Sequence, residues 1–264
     1  MESHNPVLSR HYTRDGYATF EEPARDLQSG DLEQIYQSPS ASPLQTGRMT
    51  LDDVVTRTGL LFAALLVSAV VTWQAQVETL MGIVFPALIV GLVLGLINAF
   101  SRKVRPGLIL TYALVQGVVV GGISKLYNTM WDGIVTQAIM GTAAAFVGIL
   151  MLYRSGRLRA TPKFTRVLLG ATMGYIALTF VNLLYMVFTD SSGIFWSGIG
   201  WLVSGIGVTL ASLFLVLDFD SIEQGVRMGV PQQEAWRAGF GLLVTMVWLY
   251  LEILRFLAIL RGND

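Results

Sequence analysis

From residue 50 onward the chain is a series of apolar runs of about 18–25 residues, separated by short polar connections. A helix rises about 1.5 Å per residue, so about 20 apolar residues cross the hydrocarbon core of a bilayer. The runs predict seven spans, at about residues 57–77, 82–100, 107–124, 134–153, 166–188, 196–217 and 236–260. Each is expected to be a helix, because a lone strand leaves its backbone groups unpaired in lipid. The connections are short enough that successive helices are expected to be neighbours. The pattern predicts an all-α membrane protein, a bundle of seven transmembrane helices.

The stretch MTLDDVVTRTG marks the start of the first helix. Thr50 with Asp53 has the spacing of a capping box, and acidic residues suit a helix N-terminus. Upstream the pattern is different. Residues 1–48 are rich in Ser, Pro, Gln and mixed charge, and such a segment buries too little apolar surface to offset its ordering entropy. Two regions follow: a disordered tail, 1–48, and a seven-helix transmembrane domain, 49–264. The first residues are polar and no apolar run follows them, so no cleaved signal peptide is predicted.

Composition sharpens this picture by exclusion. The 264 residues are 53% hydrophobic and 14% charged, against about 25% charged in soluble domains, and the mean hydropathy is +0.57. With a formal net charge of zero, no strong field favours nucleic acid. The absence of cysteine excludes disulfides, thiolate metal sites and cysteine catalysis. His4 and His11 both lie in the tail, so the membrane body has no histidine for a metal site or a catalytic triad. No cofactor is predicted. Lys and Arg gather in alternate connections: Arg102, Lys103 and Arg105; then Arg154, Arg157, Arg159, Lys163 and Arg166; then Arg227 and Arg237. The opposite connections offer Lys125 alone. The asymmetry predicts a cytoplasmic N-terminus and an extracytoplasmic C-terminus, in the cell membrane.

Small residues recur within the spans, as at Gly91 and Gly95, Gly117, Gly121 and Gly122, Gly170 and Gly174, and Gly205 and Gly207. Spacing by four puts two glycines on one face and lets helices approach closely. The informative residues are the carboxylates. Helix six runs into FLVLDFDSIEQGVR, with Asp218, Asp220 and Glu223 near its end. Asp220 and Glu223 share a face, Asp218 points elsewhere, and Glu223 can pair with Arg227 across one turn. The last span carries VWLYLEILRFLAIL, in which Glu252 and Arg255 are three residues apart. A charge at the bilayer centre costs at least about 2.5–3.5 kcal/mol, so these residues are expected to face the bundle interior, either as a packing ion pair or as a proton or cation site. Asn98, Gln116 and Asn182 are expected to bond between helices or to line the same interior.

Two of these motifs carry a resemblance. LDFDSIEQ resembles the FD-x-Q region that ends the sixth helix of the Bax-inhibitor family, also called the transmembrane Bax-inhibitor-motif family. WLYLEILRFLAIL resembles the seventh helix of that family, which carries LYLD and ends in LLR-F. The likeness runs from about residue 50 to the end, and the wording is that of a bacterial, actinobacterial type of member. The resemblance implies a seven-helix fold with a central seventh helix. It also implies a pH-sensitive calcium leak, gated by two aspartates at the ends of helices six and seven, one of them latched by an arginine near the end of helix two. Asp220 matches the helix-six aspartate, and calcium is a candidate ion there. Arg102 is the nearest match to the latch, with Lys103 as an alternative. For helix seven, matching on LYLE gives Glu252, whereas matching on ILRF puts Thr245 in the aspartate's place. Folding helices six and seven about Val230 sets position 220 opposite about 240 and leaves Glu252 about 18 Å further along. The expectation is one polar path with Asp220 and Glu252 at two depths, supported by Asp218, Glu223, Arg102 and Arg255.

The function expected from this reading is a pH-sensitive leak for calcium or protons. The alternative is a non-transporting adaptor that regulates a membrane protease or a stress response, with the tail as its docking element. No enzymatic activity is expected: an aspartyl protease needs two carboxylates about 3 Å apart, which the hairpin geometry disfavours.

Overall fold

Hydrocarbon offers no partner for backbone N–H and C=O groups, so each apolar run closes its hydrogen bonds within itself. The computed structural model describes residues 47–189, 193, 195 and 198–262. The predicted tail lies outside these except for Gly47 and Arg48, as do His4 and His11. Seven helices follow in order: α1 Leu51–Trp73, α2 Val77–Phe100, α3 Pro106–Met130, α4 Ile134–Arg154, α5 Pro162–Thr189, α6 Gly200–Met228 and α7 Glu234–Gly262. All seven are long and apolar enough to cross a membrane. No strand occurs among the described residues; Arg48 and Pro231 form an isolated bridge.

The helices overrun the apolar windows at several ends. α1 begins at Leu51 and α6 continues to Met228. Hydropathy marks where lipid is crossed, whereas a helix continues until its backbone is capped. At α1 the predicted capping box is present: the Thr50 hydroxyl accepts from Asp53 N at 3.1 Å and the Asp53 carboxylate accepts from Thr50 N, also at 3.1 Å. At α6 the cap is Gly229, at φ +65°, with Val230 N bonded to Gly225 O and Gly229 N to Val226 O. This is the Schellman arrangement, and Pro231 follows it. The segment before α1 straps onto this turn: Met49 N donates to Val230 O and Gln232 N to Gly47 O, both at 2.8 Å. The Gln232 amide donates to Asp53 Oδ1 at 2.7 Å.

α7 occupies the centre and packs against α1, α3, α4 and α6. Its most apolar stretch is 61% buried, against at most 44% in any other helix. The exterior is apolar too: Val67, Leu92, Phe100 and Phe188 are all more than half exposed, as a lipid-facing surface requires. Succession along the chain does not fix all the neighbours. α1 packs most extensively on α3, not on α2. The reason is steric. Gly117 and Gly121 of α3 lie directly against the backbone of Leu65 and Ala69 in α1, and a Cβ at either would collide with a carbonyl there. Gly91 and Gly95 likewise face Gln116 and Tyr112 across α2 and α3, whereas Gly170 and Gly174 face open space and make no such contact. Gly121→Val is therefore expected to force α1 from α3 and lower stability by about 1–3 kcal/mol or more, read as a lower melting temperature in detergent. Gly174→Val, facing open space, should leave melting unchanged.

Candidate functional site: buried carboxylates of the last two helices

Glu252 is 3% exposed. It lies about 27 Å along α7 from Glu234, in the half of the bundle away from the basic connections. Both of its oxygens are occupied. Trp248 Nε1 donates to Oε1 at 3.1 Å, and the Tyr175 hydroxyl of α5 donates to Oε2 at 2.9 Å. Arg255 Nη1 reaches both, at 3.4 and 3.3 Å. The guanidinium lies over the Phe195 ring, 4.7 Å from its centroid, and Tyr127 of α3 meets it as well. Gly207 of α6 leaves the room for this: a Cβ there would press on the Tyr175 hydroxyl and on Glu252 Oε2. The result is a carboxylate with its charge compensated and its lone pairs filled, as a buried ion pair needs in order to persist.

Asp218 is situated differently. It sits on α6 opposite Gly241 of α7, where a Cβ would stand 3.8 Å from Oδ1, in ordinary contact. The Thr245 hydroxyl stands beside the carboxyl. Oδ2 is enclosed by protein and has no hydrogen-bond partner among the described residues. Gly207 facing Glu252 and Asp218 facing Gly241 belong to one antiparallel register about Gly229, and they separate the two sites by about 16 Å along α6. Thr245 thus stands where one of the two sequence matches placed the helix-seven aspartate.

Asp220 turns away from α7, toward a groove of about 970 Å³ between α1, α4 and α6 at the basic end. The groove is walled by Tyr153, Arg154, Arg159, Asp220, Glu223 and Arg227 together with Leu51, Val55 and Phe219. Asp220 accepts from Gln224 at 2.5 Å. Glu223 takes the Tyr153 hydroxyl and Arg227, each at 2.5 Å. Phe219 packs edge-on against Phe146 and tilts against Tyr153, and so forms the groove's inner wall. Among the described residues no three acidic or histidine side chains converge as a metal cage, at Asp220 or elsewhere.

The expected carboxylates thus fall into three places. Glu252 and Arg255 form one pair; Asp220 and Glu223 share the groove; Asp218 stands between α6 and α7. Arg102 is exposed on the α2–α3 connection. Its backbone carbonyl accepts from Arg237 Nη2 at 3.3 Å, and Ser101 O accepts from the same nitrogen at 2.9 Å, so Arg237 ties this connection to α7. Asn98 donates to Leu94 O of its own helix at 3.0 Å and, between helices, to Leu108 O of α3 at 3.3 Å. The sequence reading passed over Trp248, Tyr175 and Tyr153. Trp248 was within reach of it, since it lies four residues before Glu252. The two tyrosines come from helices far away in the chain and carry no local signal.

The fold and the site together define a class: a seven-helix membrane protein built round a central last helix, with carboxylates held inside its last two spans. The model of the Bax inhibitor 1 like family matches residues 5–262, and the chain belongs to that family. No curated protein matches it significantly.

Proposed function

We propose that this protein is a passive leak for calcium or protons in the cell membrane, controlled by protonation of Asp218, with its N-terminus in the cytoplasm. The observation that carries this reading is the enclosed, unpartnered Oδ2 of Asp218. A buried carboxylate oxygen without a donor is unfavourable unless a proton or a cation joins it. Its polar neighbour across the helix pair is the Thr245 hydroxyl, which faces the carboxylate as a donor and keeps lone pairs for a proton or cation. The groove at the basic end lies one helix face away, beyond the Phe219 wall. There Asp220 and Glu223 draw cations, while Arg154, Arg159 and Arg227 limit how much negative charge they present. Family membership supports the same reading, since ion leak is an activity associated with the family. The excess of Lys and Arg on the N-terminal face supports the orientation.

In this reading Glu252 and Arg255 close the far half of the bundle. Their charges cancel and both Glu252 oxygens are filled, so they separate the Asp218 site from the opposite face until a helix moves. The test is flux into liposomes holding a calcium dye or a pH dye. The protein should pass one of the two ions faster than protein-free liposomes do, with a rate that changes between acid and neutral pH. Rates equal to protein-free liposomes at every pH would end the proposal.

A further inference from the structure

A second cavity lies on the other side of α7 and takes no part in this reading. It measures about 340 Å³, within the range of about 300–1,000 Å³ common for small-ligand sites. α1 and α4 form its walls, and α3 and α7 its floor. Its lining is almost wholly apolar, from Phe62 and Trp73 on α1 to Val135 and Ala143 on α4. The three hydroxyls at its edge are already engaged. Ser124 donates to Val120 O at 2.5 Å, Tyr250 meets the Ser124 hydroxyl at 2.7 Å, and Thr142 donates to Ala138 O at 2.7 Å. Such a cavity gives water too few partners to stay filled with it.

Its position and length say what fills it. Trp73 is the last residue of α1 and Val135 the second of α4, so the cavity opens at the face opposite the N-terminus. From Trp73 to Phe62 it runs about 16 Å into the membrane, about half the hydrocarbon thickness and so the depth of one leaflet. Lys125 follows the lining residue Ser124 on α3, though it is not itself part of the lining. Its ammonium donates to the Trp73 and Ala75 carbonyls, which leaves its third donor for another acceptor. Trp73 itself lines the cavity, so the ammonium lies one hydrogen bond from a lining residue.

We propose that this slot is a lipid site: one acyl chain of a phospholipid from the leaflet opposite the N-terminus fills it, with the anionic headgroup against Lys125. The bound chain wedges α1 and α4 apart over the central helix.

The experiment is native mass spectrometry of the full chain. It is reconstituted in an equal mixture of phosphatidylglycerol and phosphatidylcholine and released by mild detergent. The wild type should retain one phospholipid per chain, with phosphatidylglycerol preferred. Ala143→Trp fills the slot from an exposed wall position, so retention should fall by about tenfold. Val70→Trp, on the opposite exposed wall, is read in the same way should the first variant fail to fold. Lys125→Gln should keep the lipid and lose the headgroup preference. Equal retention by the wild type and a folded slot-filling variant overturns the site. An unchanged preference in Lys125→Gln overturns the role of the ammonium.

Discussion

Asp218→Asn should leave a protein whose ion flux no longer responds to pH. The asparagine is neutral at every pH and nearly isosteric, so it holds the site in the charge state that the aspartate reaches only in acid. Flux across the whole range should therefore equal the wild-type value at the acid end, whichever way protonation gates the path. The neighbouring groups sharpen the test. Asp220→Asn removes a carboxylate from the groove, where Arg154, Arg159, Arg227, Glu223 and Tyr153 face it. It should alter the size of the flux and keep the response to pH. Thr245→Val removes the hydroxyl beside the Asp218 carboxyl and should shift the response without abolishing it. A pH profile in Asp218→Asn that overlays the wild type would remove this carboxylate from the mechanism.

Glu252→Leu is expected to have the largest effect on stability, because it strands Arg255 in the bundle and leaves the Tyr175 hydroxyl without its acceptor. Breaking a buried pair by removing one partner costs about 3–5 kcal/mol. The melting temperature in detergent should fall accordingly. The double variant Glu252→Leu, Arg255→Leu should recover much of the loss, since both charges are then gone. Gly207→Leu, which drives a side chain into the Tyr175 hydroxyl and the Glu252 carboxylate from α6, should resemble the single variant. Losses that simply add in the double variant would show that the two residues act separately. Such a result would leave the leak proposal standing, since that proposal rests on Asp218.

These variants differ because the two carboxylates differ in surroundings, and only part of that difference could be read from the chain. The seven spans, the start of α1 at Thr50 and the turn at Gly229 are local. They follow from apolar run length, a capping residue and a glycine that reaches positive φ, all within a few neighbours. The pairing of Glu252 with Arg255 is local too, being one helical turn. The antiparallel register of α6 and α7 follows from the position of that turn, which is why position 220 was expected near 240 and far from 252.

Which side of α6 faces α7 was not decided locally. Asp218 and Asp220 are two residues apart and diverge by more than half a turn, so one had to face the central helix and the other the groove. The motif match selected Asp220. The packed structure turns Asp218 inward, toward Gly241 and Thr245 of α7, while Phe219 packs on the groove side against Phe146. Tyr175 reaches Glu252 across a long stretch of chain, and α1 prefers α3 to its sequence neighbour because glycines on α3 let two backbones meet. The sequence by itself determined the helices, their ends and the charges they carry, since those depend on hydrogen bonding and hydropathy within a few residues. Only the tertiary structure decided which carboxylate is satisfied and which is left open, since that depends on side chains brought together from four separate helices.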